Sequence, residues 1–282
     1  MIRIHILGSA AGGGLPQWNC ACVNCVAART GKIAPQTQSS IAISGNSGDD
    51  QRWFLINASP DLPRQIESTA PLQPDRDSSR NTPITGVLLT NADLDHALGL
   101  LLLRQQEVPL VVYATEQTRT ALGWIDSVLA RFCGIEWRKI TGDFESLSGG
   151  IAFRAIESPN SVAFQFRDEV SARMALIAPA VGELPPALRE ACDTSDVILF
   201  DGTFWSDGEL AGVRRGARSA REMNHLPISA GSLELLRRSP AQRKIYTHIN
   251  NTNPILTPGS SERTRVERAG IEIGYDGLEI VL

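Results

Sequence analysis

Residues 87–100, V-L-L-T-N-A-D-L-D-H-A-L-G-L, constrain this chain more than any other stretch. An apolar run, 87–89, stops at a polar cluster. An apolar stretch of helix-forming residues, 98–106, starts just beyond it. That pattern predicts strand, loop and helix. In such a unit the loop at the carboxyl end of the strand is where open α/β folds place ligands. Asn91, Asp93, Asp95 and His96 crowd this loop. Two carboxylates and an imidazole within four residues suit a metal ion, because short side chains can converge on it with oxygen and nitrogen donors. The plainer alternative is a helix N-cap from Asp93 or Asp95, with His96 solvated in the first turn.

Two further strands end the same way. Val197, Ile198, Leu199 and Phe200 form a buried run that delivers Asp201. Lys244, Ile245, Tyr246 and Thr247 form another that ends in His248. An Asp after a strand is often only a turn former. Three strands delivering donors at one pole make a stronger case than any one alone. Asp95, His96, Asp201 and His248 supply two imidazoles and two carboxylates, without a thiol. Such a set suits Fe²⁺, Mn²⁺ or Zn²⁺, and two histidines plus a carboxylate facing open positions is the arrangement of non-haem iron oxygenases.

A separate cluster, Cys20, Cys22 and Cys25, reads C-x-C-x-x-C. Three thiolates from one turn of chain fit a structural zinc, which wants four donors. The fourth must come from elsewhere. Five cysteines are an odd count, and three of them lie within six residues, so a disulfide framework does not fit. Cys133 and Cys192 fall in helical patterns and read as packing. The loop Gly8-Ser9-Ala10-Ala11-Gly12-Gly13-Gly14 follows a strand over 2–7. It could let backbone approach a ligand or the metal loop closely. It lacks the lysine and spacing of a phosphate loop.

The rest of the chain alternates strands and helices. Strands are expected over 39–43 and 53–56, joined by a turn over 45–51, and over 110–113, in two pieces within 151–166, and over 175–178. Helices are expected over 115–132, with Trp124 in the core, and over 186–192, 229–238 and 261–269. A strand over 270–282 closes the chain. Residues 71–83 read as an exposed loop. Without repeats or a break in composition, 1–282 reads as one domain. The net charge of −4 excludes a nucleic-acid or anionic-membrane partner as an expectation. No apolar run approaches the roughly 20 residues of a membrane helix. The N-terminal M-I-R-I-H-I-L-G lacks a signal-peptide core, which points to the cytoplasm.

The stretch L-T-N-A-D-L-D-H-A-L-G-L resembles the metallo-β-lactamase superfamily motif T-H-x-H-x-D-H-x-x-G. A closer resemblance is to the family of pyrroloquinoline quinone biosynthesis protein B. It is carried by G-S-A-A-G-G-G-x-P-Q-W-N-C-x-C-x-N-C, N-A-S-P-D, D-G-T-x-W, R-E-M-x-H-L and H-I-N-N-T-N-P-I-L, and is weakest over 150–175. The resemblance implies an αββα sandwich of the metallo-β-lactamase fold. It also implies a role in making the redox cofactor pyrroloquinoline quinone (PQQ) from the glutamate and tyrosine of a precursor peptide. The chain departs from the superfamily at the first metal site. Asn91 and Asp93 replace two histidines, and a third, expected over 156–163, is absent. Asp95, His96, Asp201 and His248 match the complete second site, so one metal is expected. Asn251 stands where related phosphodiesterases complete the cysteine zinc with a histidine.

Three activities follow from the resemblance. One is a mononuclear Fe²⁺-dependent oxygenase hydroxylating the tyrosine-derived ring. Another is a carrier moving PQQ or its precursor toward the periplasm, and the third is metal-dependent hydrolysis. Partners implied are that small molecule, other pathway proteins and a second copy of the chain in a homodimer. His225 is expected to do acid–base work near the metal, because related metallo-hydrolases place a histidine there. Asp93 is expected to orient a ligand or water.

Overall fold

The computed structural model describes residues 1–45, 52–76 and 79–282; the turn expected over 45–51 lies almost wholly outside them. The first half of the chain lays down β1 (Arg3–Gly8), β2 (Ser40–Ser44), β3 (Trp53–Ile56), β4 (Ile84–Leu88), β5 (Leu110–Ala114) and β6 (Ile135–Lys139). The second half adds β7 (Glu145–Leu147), β8 (Ile151–Ser158), β9 (Ser161–Asp168), β10 (Met174–Ala178), β11 (Val197–Asp201), β12 (Arg243–Thr247) and β13 (Glu272–Ile273). A last strand, β14 (Glu279–Val281), returns to the first sheet. The sheets run β14-β1-β2-β3-β4-β5-β6 and β13-β12-β11-β10-β9-β8-β7. The expected strand over 270–282 is therefore two, one in each sheet.

The apolar pattern explains the layering. Ile2, Ile4, Ile6, Phe54, Ile56, Phe153, Phe164 and Leu199 fill the space between the sheets. Their neighbours along the strands, such as Trp53, Leu55, Ile198 and Phe200, are buried on the outer faces. Strands buried on both sides need continuous apolar runs, and these strands have them. Helices α1 (Val23–Arg29), α2 (Leu62–Glu67), α3 (Leu94–Ala97), α4 (Glu116–Ala121), α5 (Gly123–Leu129), α6 (Pro186–Thr194), α7 (Ser232–Arg238) and α8 (Ser261–Arg268) cover those faces. Residues from α2, α3 and α5 pack on the first sheet, and residues from α1, α6, α7 and α8 on the second. The result is the αββα sandwich. Among the described residues no helix is long and apolar enough to cross a membrane.

Several expected elements differ. The helix expected over 98–106 is a 3₁₀ segment, Leu98–Leu103, and the only α-turn, α3, comes before it. Gly99 explains the tight geometry: a Cβ there would lie 2.3 Å from the Ser59 carbonyl, so the turn must press backbone on backbone. The helix over 115–132 is broken at Leu122 into α4 and α5. Trp124 is 46% exposed and not part of the core, because the inward stripe is Leu122, Ile125 and Leu129. Strands β6 and β7 had no alternating pattern strong enough to be read.

Parallel pairing sets the position of the loops. Strands β3 to β6 run parallel to one another, and so do β10 to β13. Their carboxyl ends meet at one pole. Backbone bonds tie the two halves there: Val162 N donates to Thr90 O at 2.8 Å, Ile249 N to Ser9 O at 2.9 Å, and Ala11 N to Ile249 O at 3.0 Å.

Candidate metal centre

The loop after β4 is built to aim one imidazole nitrogen. Asp93 occupies the N-cap position of α3, but its side chain does not cap the helix. Its Oδ2 accepts from Asn91 Nδ2 at 2.7 Å instead. Asn91 Oδ1 lies 2.6 Å from His96 Nδ1, and Thr90 Oγ1 lies 3.2 Å from the same nitrogen. Asn57, at positive φ after β3, accepts from Thr90 N through its Oδ1 at 2.9 Å and fixes the start of the loop. Because an amide oxygen only accepts, Nδ1 of His96 carries the proton. Its Nε2 is left as a lone-pair donor. That atom is buried without a hydrogen-bond partner, and orphaned polar atoms of this kind are rare in folded proteins.

Asp95 faces it. Its Oδ2 lies 3.7 Å from His96 Nε2 and 3.3 Å from His248 Nε2. The backbone of Gly12 crowds this carboxylate: a Cβ there would sit 3.2 Å from Asp95 Oδ2. So the glycine loop does approach the metal loop. Burial alone would raise the Asp95 carboxyl, but His96 and His248 outweigh it and hold the group below the usual carboxylate range. Burial also pulls the His96 pKa down, against the attraction of Asp95. A neutral imidazole beside an ionised carboxylate is the state in which both bind a cation.

His248 follows β12 with φ of 55°. Its Nδ1 lies 2.8 Å from Thr203 Oγ1, which itself donates to Asp201 Oδ1 at 2.6 Å. A hydroxyl that donates to Asp201 must accept from His248 Nδ1–H, so His248 also presents Nε2 as its free donor. Asp201 is 1% exposed, and its Oδ2 accepts from Val181 N at 2.8 Å and lies 2.7 Å from His225 Nδ1. Burial disfavours the charge on His225, yet Asp201 raises its pKa on balance; Asp201 is lowered in return, with His225 opposing its own burial. The His225 and His248 rings stack with centroids 5.4 Å apart, and those of His96 and His248 are 5.0 Å apart.

The structure thus brings Asp95, His96, Asp201, His225 and His248 to one pole. They form two overlapping triads sharing His248: Asp95, His96, His248 and Asp201, His225, His248, with ligand atoms within 4.8 Å in each. Asp201 joins the cluster through Thr203 and His225. Placing His225 against Asp201 was not legible from spacing. Thr203 was missed as a linker, although D-G-T stood out as a motif. Two carboxylates among three imidazoles, with an orphaned buried nitrogen, fit a divalent cation.

The thiols of Cys20, Cys22 and Cys25 form a second group within 4.8 Å. Asn251 Nδ2 lies 3.2, 3.4 and 3.2 Å from their three Sγ atoms. The side chain that replaces a histidine therefore occupies the fourth corner. Backbone N–H groups of Cys22 and Gln17 point at Cys20 Sγ and Cys25 Sγ, each at 3.4 Å. Burial pushes the Cys25 thiol up to about 11, so a cation is needed to hold it as thiolate at neutral pH. Asn24 Nδ2 donates to Asn251 O and Asn253 O, and Asn253 Nδ2 donates to Gly202 O. Residues 248–253 thus bolt the thiols to the Asp201 loop.

Glu209 completes that loop unseen by sequence reasoning. It accepts from Trp205 N at 2.6 Å and Thr252 Oγ1 at 2.5 Å. Burial outweighs these bonds and raises its carboxyl from 4.5 to about 7. A raised folded pKa stabilises the protonated form. The contribution is full below pH 4.5 and is lost as pH rises through about 7. Ionising Glu209 is expected to cost on the order of 3 kcal/mol across that window. Urea melts at pH 5 and pH 8 should show Glu209→Gln with a flatter pH dependence than the parent. Equal slopes would contradict this account.

Residues 52–249 match the family model of the β-lactamase superfamily domain. The chain is 40% identical to coenzyme PQQ synthesis protein B of Cupriavidus necator over 309 aligned positions covering all of both chains. It is 39% identical to the protein of that name from Rhizobium meliloti, covering 100% of this chain and 98% of that one. Among solved structures, Zn²⁺-bound PqqB from Methylobacterium extorquens superposes with a TM-score of 0.88 at 34% identity, over 99% of this chain and 100% of that one. A diphosphatase of the PhnP family shares the fold with a TM-score of 0.75 at 19% identity, over 100% and 98% of the two chains. With its full-length relatives, its two-sheet sandwich and its single pole of donors, the chain belongs to the coenzyme PQQ synthesis protein B family of the metallo-β-lactamase superfamily.

Proposed function

We propose that the chain acts in PQQ biosynthesis as a mononuclear, Fe²⁺-dependent oxygenase that hydroxylates the tyrosine-derived ring of the precursor. The observation that carries this reading is His96 Nε2, buried, unpartnered and aimed at Asp95 while Asn91 holds the other ring nitrogen. Asp95, His96, Asp201 and His248 would hold the ion, and Cys20, Cys22 and Cys25 a structural zinc, with the Asn251 amide donating to their sulfurs. A bound Fe²⁺ would supply O₂ activation at positions left open by four protein donors. Thr203 keeps His248 in the tautomer that offers Nε2. Asp93 holds Asn91, and through it His96, in place. His225, proton-bearing against Asp201, moves a proton at Nε2 to or from the substrate. The PQQ-derived small molecule is the partner this reading requires. Other pathway proteins, a homodimer and a cytoplasmic site of action accord with it.

Metal content of anaerobically purified protein comes first. O₂ consumption is then measured with Fe²⁺, Mn²⁺ or Zn²⁺ and a dihydroxyphenyl substrate. Turnover with Fe²⁺ that disappears in His248→Ala is expected. Binding of PQQ with no turnover under any metal would replace the oxygenase by a carrier. Hydrolysis by the zinc-loaded protein would favour the superfamily's chemistry.

A further inference from the structure

The open end of the sandwich beside Asp93 carries a feature that the metal chemistry does not use. A cleft of about 420 Å³ lies there, lined by residues of both halves of the sandwich. Asn91, Asp93 and Lys139, the last residue of β6, line the wall from the first sheet; Glu157 and Asn160, on and beyond β8, line the wall from the second. This hairpin occupies the 156–163 region, where the superfamily's third histidine would stand.

Its charges are specific. Lys139 and Glu157 are both exposed, they come from opposite walls, and neither makes an ion pair among the described residues. Glu116 at the rim already has Arg119 at 3.8 Å. A simple anion would meet Lys139 but also the carboxylates of Asp93 and Glu157. A simple cation would meet Lys139 repulsively. A ligand carrying one charge of each sign satisfies both walls, and the volume suits a small molecule. Asn91 touches His96 directly, so anything seated here lies against the metal loop.

We propose that this cleft is the seat for an α-amino acid head group, with its carboxylate on Lys139 and its ammonium on Glu157. The proposal deepens the reading above, since it fixes which end of the substrate faces away from the metal. Asn160, at φ of 62° at the tip of the β8–β9 hairpin, also lines the cleft. Asp93 and Asn91, which line the same cleft, stand on the metal-loop side of an aromatic amino acid seated this way.

The test is a calorimetric titration of the metal-loaded full chain with four probes. They are 3,4-dihydroxyphenylalanine, 3-(3,4-dihydroxyphenyl)propionate, dopamine and 4-methylcatechol. They share the ring and differ in carrying both charges, the carboxylate alone, the ammonium alone or neither. Each charge should tighten binding by roughly threefold to tenfold over 4-methylcatechol, as for partly exposed ion pairs. Lys139→Gln should erase the carboxylate increment, and Glu157→Gln the ammonium increment. Lys139→Glu should invert the preference in favour of dopamine. Both side chains are exposed, so the variants should melt like the parent, and 4-methylcatechol binding should not change. Equal affinities for the four probes, increments that survive the substitutions, or no binding of any probe would each overturn the proposal. Turnover without increments would sink the head-group seat and leave the oxygenase. Increments without turnover would sink the oxygenase and leave the seat.

Discussion

Replacing Cys20 and Cys22 together by serine is expected to remove about one zinc per chain and to lower the melting temperature by about 10 °C or more. A structural zinc contributes folding energy directly, and for chains of this order of size each kcal/mol is worth roughly 2–4 °C. The effect should be large here because the thiols do not hang from a free loop. They are fastened through Asn24 and Asn251 to residues 248–253, and through Asn253 to the loop after β11. Losing the ion would loosen both. Asn251→Ala, which removes hydrogen bonds to all three sulfurs, should weaken zinc retention, whereas Asn251→His, which brings an imidazole nitrogen to the same corner, should retain or tighten it. Metal analysis after dialysis against a chelator, followed by calorimetry, checks all three. Unchanged zinc content and melting in the double-serine protein would refute the structural-zinc reading.

The second large effect concerns the number of ions at the pole. Asp95→Ala, His96→Ala, Asp201→Ala and His248→Ala are each expected to empty one site and abolish turnover, with the cysteine-bound zinc still present. Asp93→Asn should keep the ion and change the rate by roughly 10–100-fold, as supporting carboxylates do. The physical reason for one ion is donor count. Two cations some 3.5–4 Å apart need several anionic or imidazole donors each. Asn91 is spent between His96 and Asp93, His225 is spent through its Nδ1 on Asp201, and His5 lies on β1 beside Trp53, away from the pole. Anomalous diffraction across the metal edges of an iron-loaded, active crystal should give one strong peak beside His96. Two peaks there would establish a dinuclear centre instead.

Much of this was legible because strands buried on both faces leave long apolar runs, and each run stops where its loop begins. Asp95, His96, Asp201 and His248 could be found as polar residues just past such stops, and the structure does bring them to one pole. The cysteine triplet was legible from spacing alone. What spacing could not show was lateral neighbourhood. Thr203 looks like part of a turn until β12 delivers His248 beside it. Asn251 looks like one of several turn residues until it is seen facing three sulfurs. Glu209 has no local signal, since one of its hydrogen-bond partners is Thr252, far along the chain. Trp124 failed for the opposite reason. A helical stripe predicts a packed face but not where the helix breaks, and the break at Leu122 turned Trp124 outward.

The pairing of distant residues also bears on when the molecule becomes whole during synthesis. His248 meets Asp95 across 153 positions, and Asn251 meets Cys25 across 226. A ribosome adding about 5–20 residues per second makes the early partners many seconds before the late ones. No nascent chain shorter than about 250 residues holds either donor set complete. The cysteine triplet, however, is finished near the start and can take hold of a thiophilic ion with three donors while the rest is still being made. The oxygen- and nitrogen-rich pole has no such early form, since its Asp95–His96 pair waits for Asp201 and then, until most of the chain has been made, for His248. The two ions would therefore be acquired in sequence, the soft-ligand one first, which gives each metal its own window in time as well as its own chemistry.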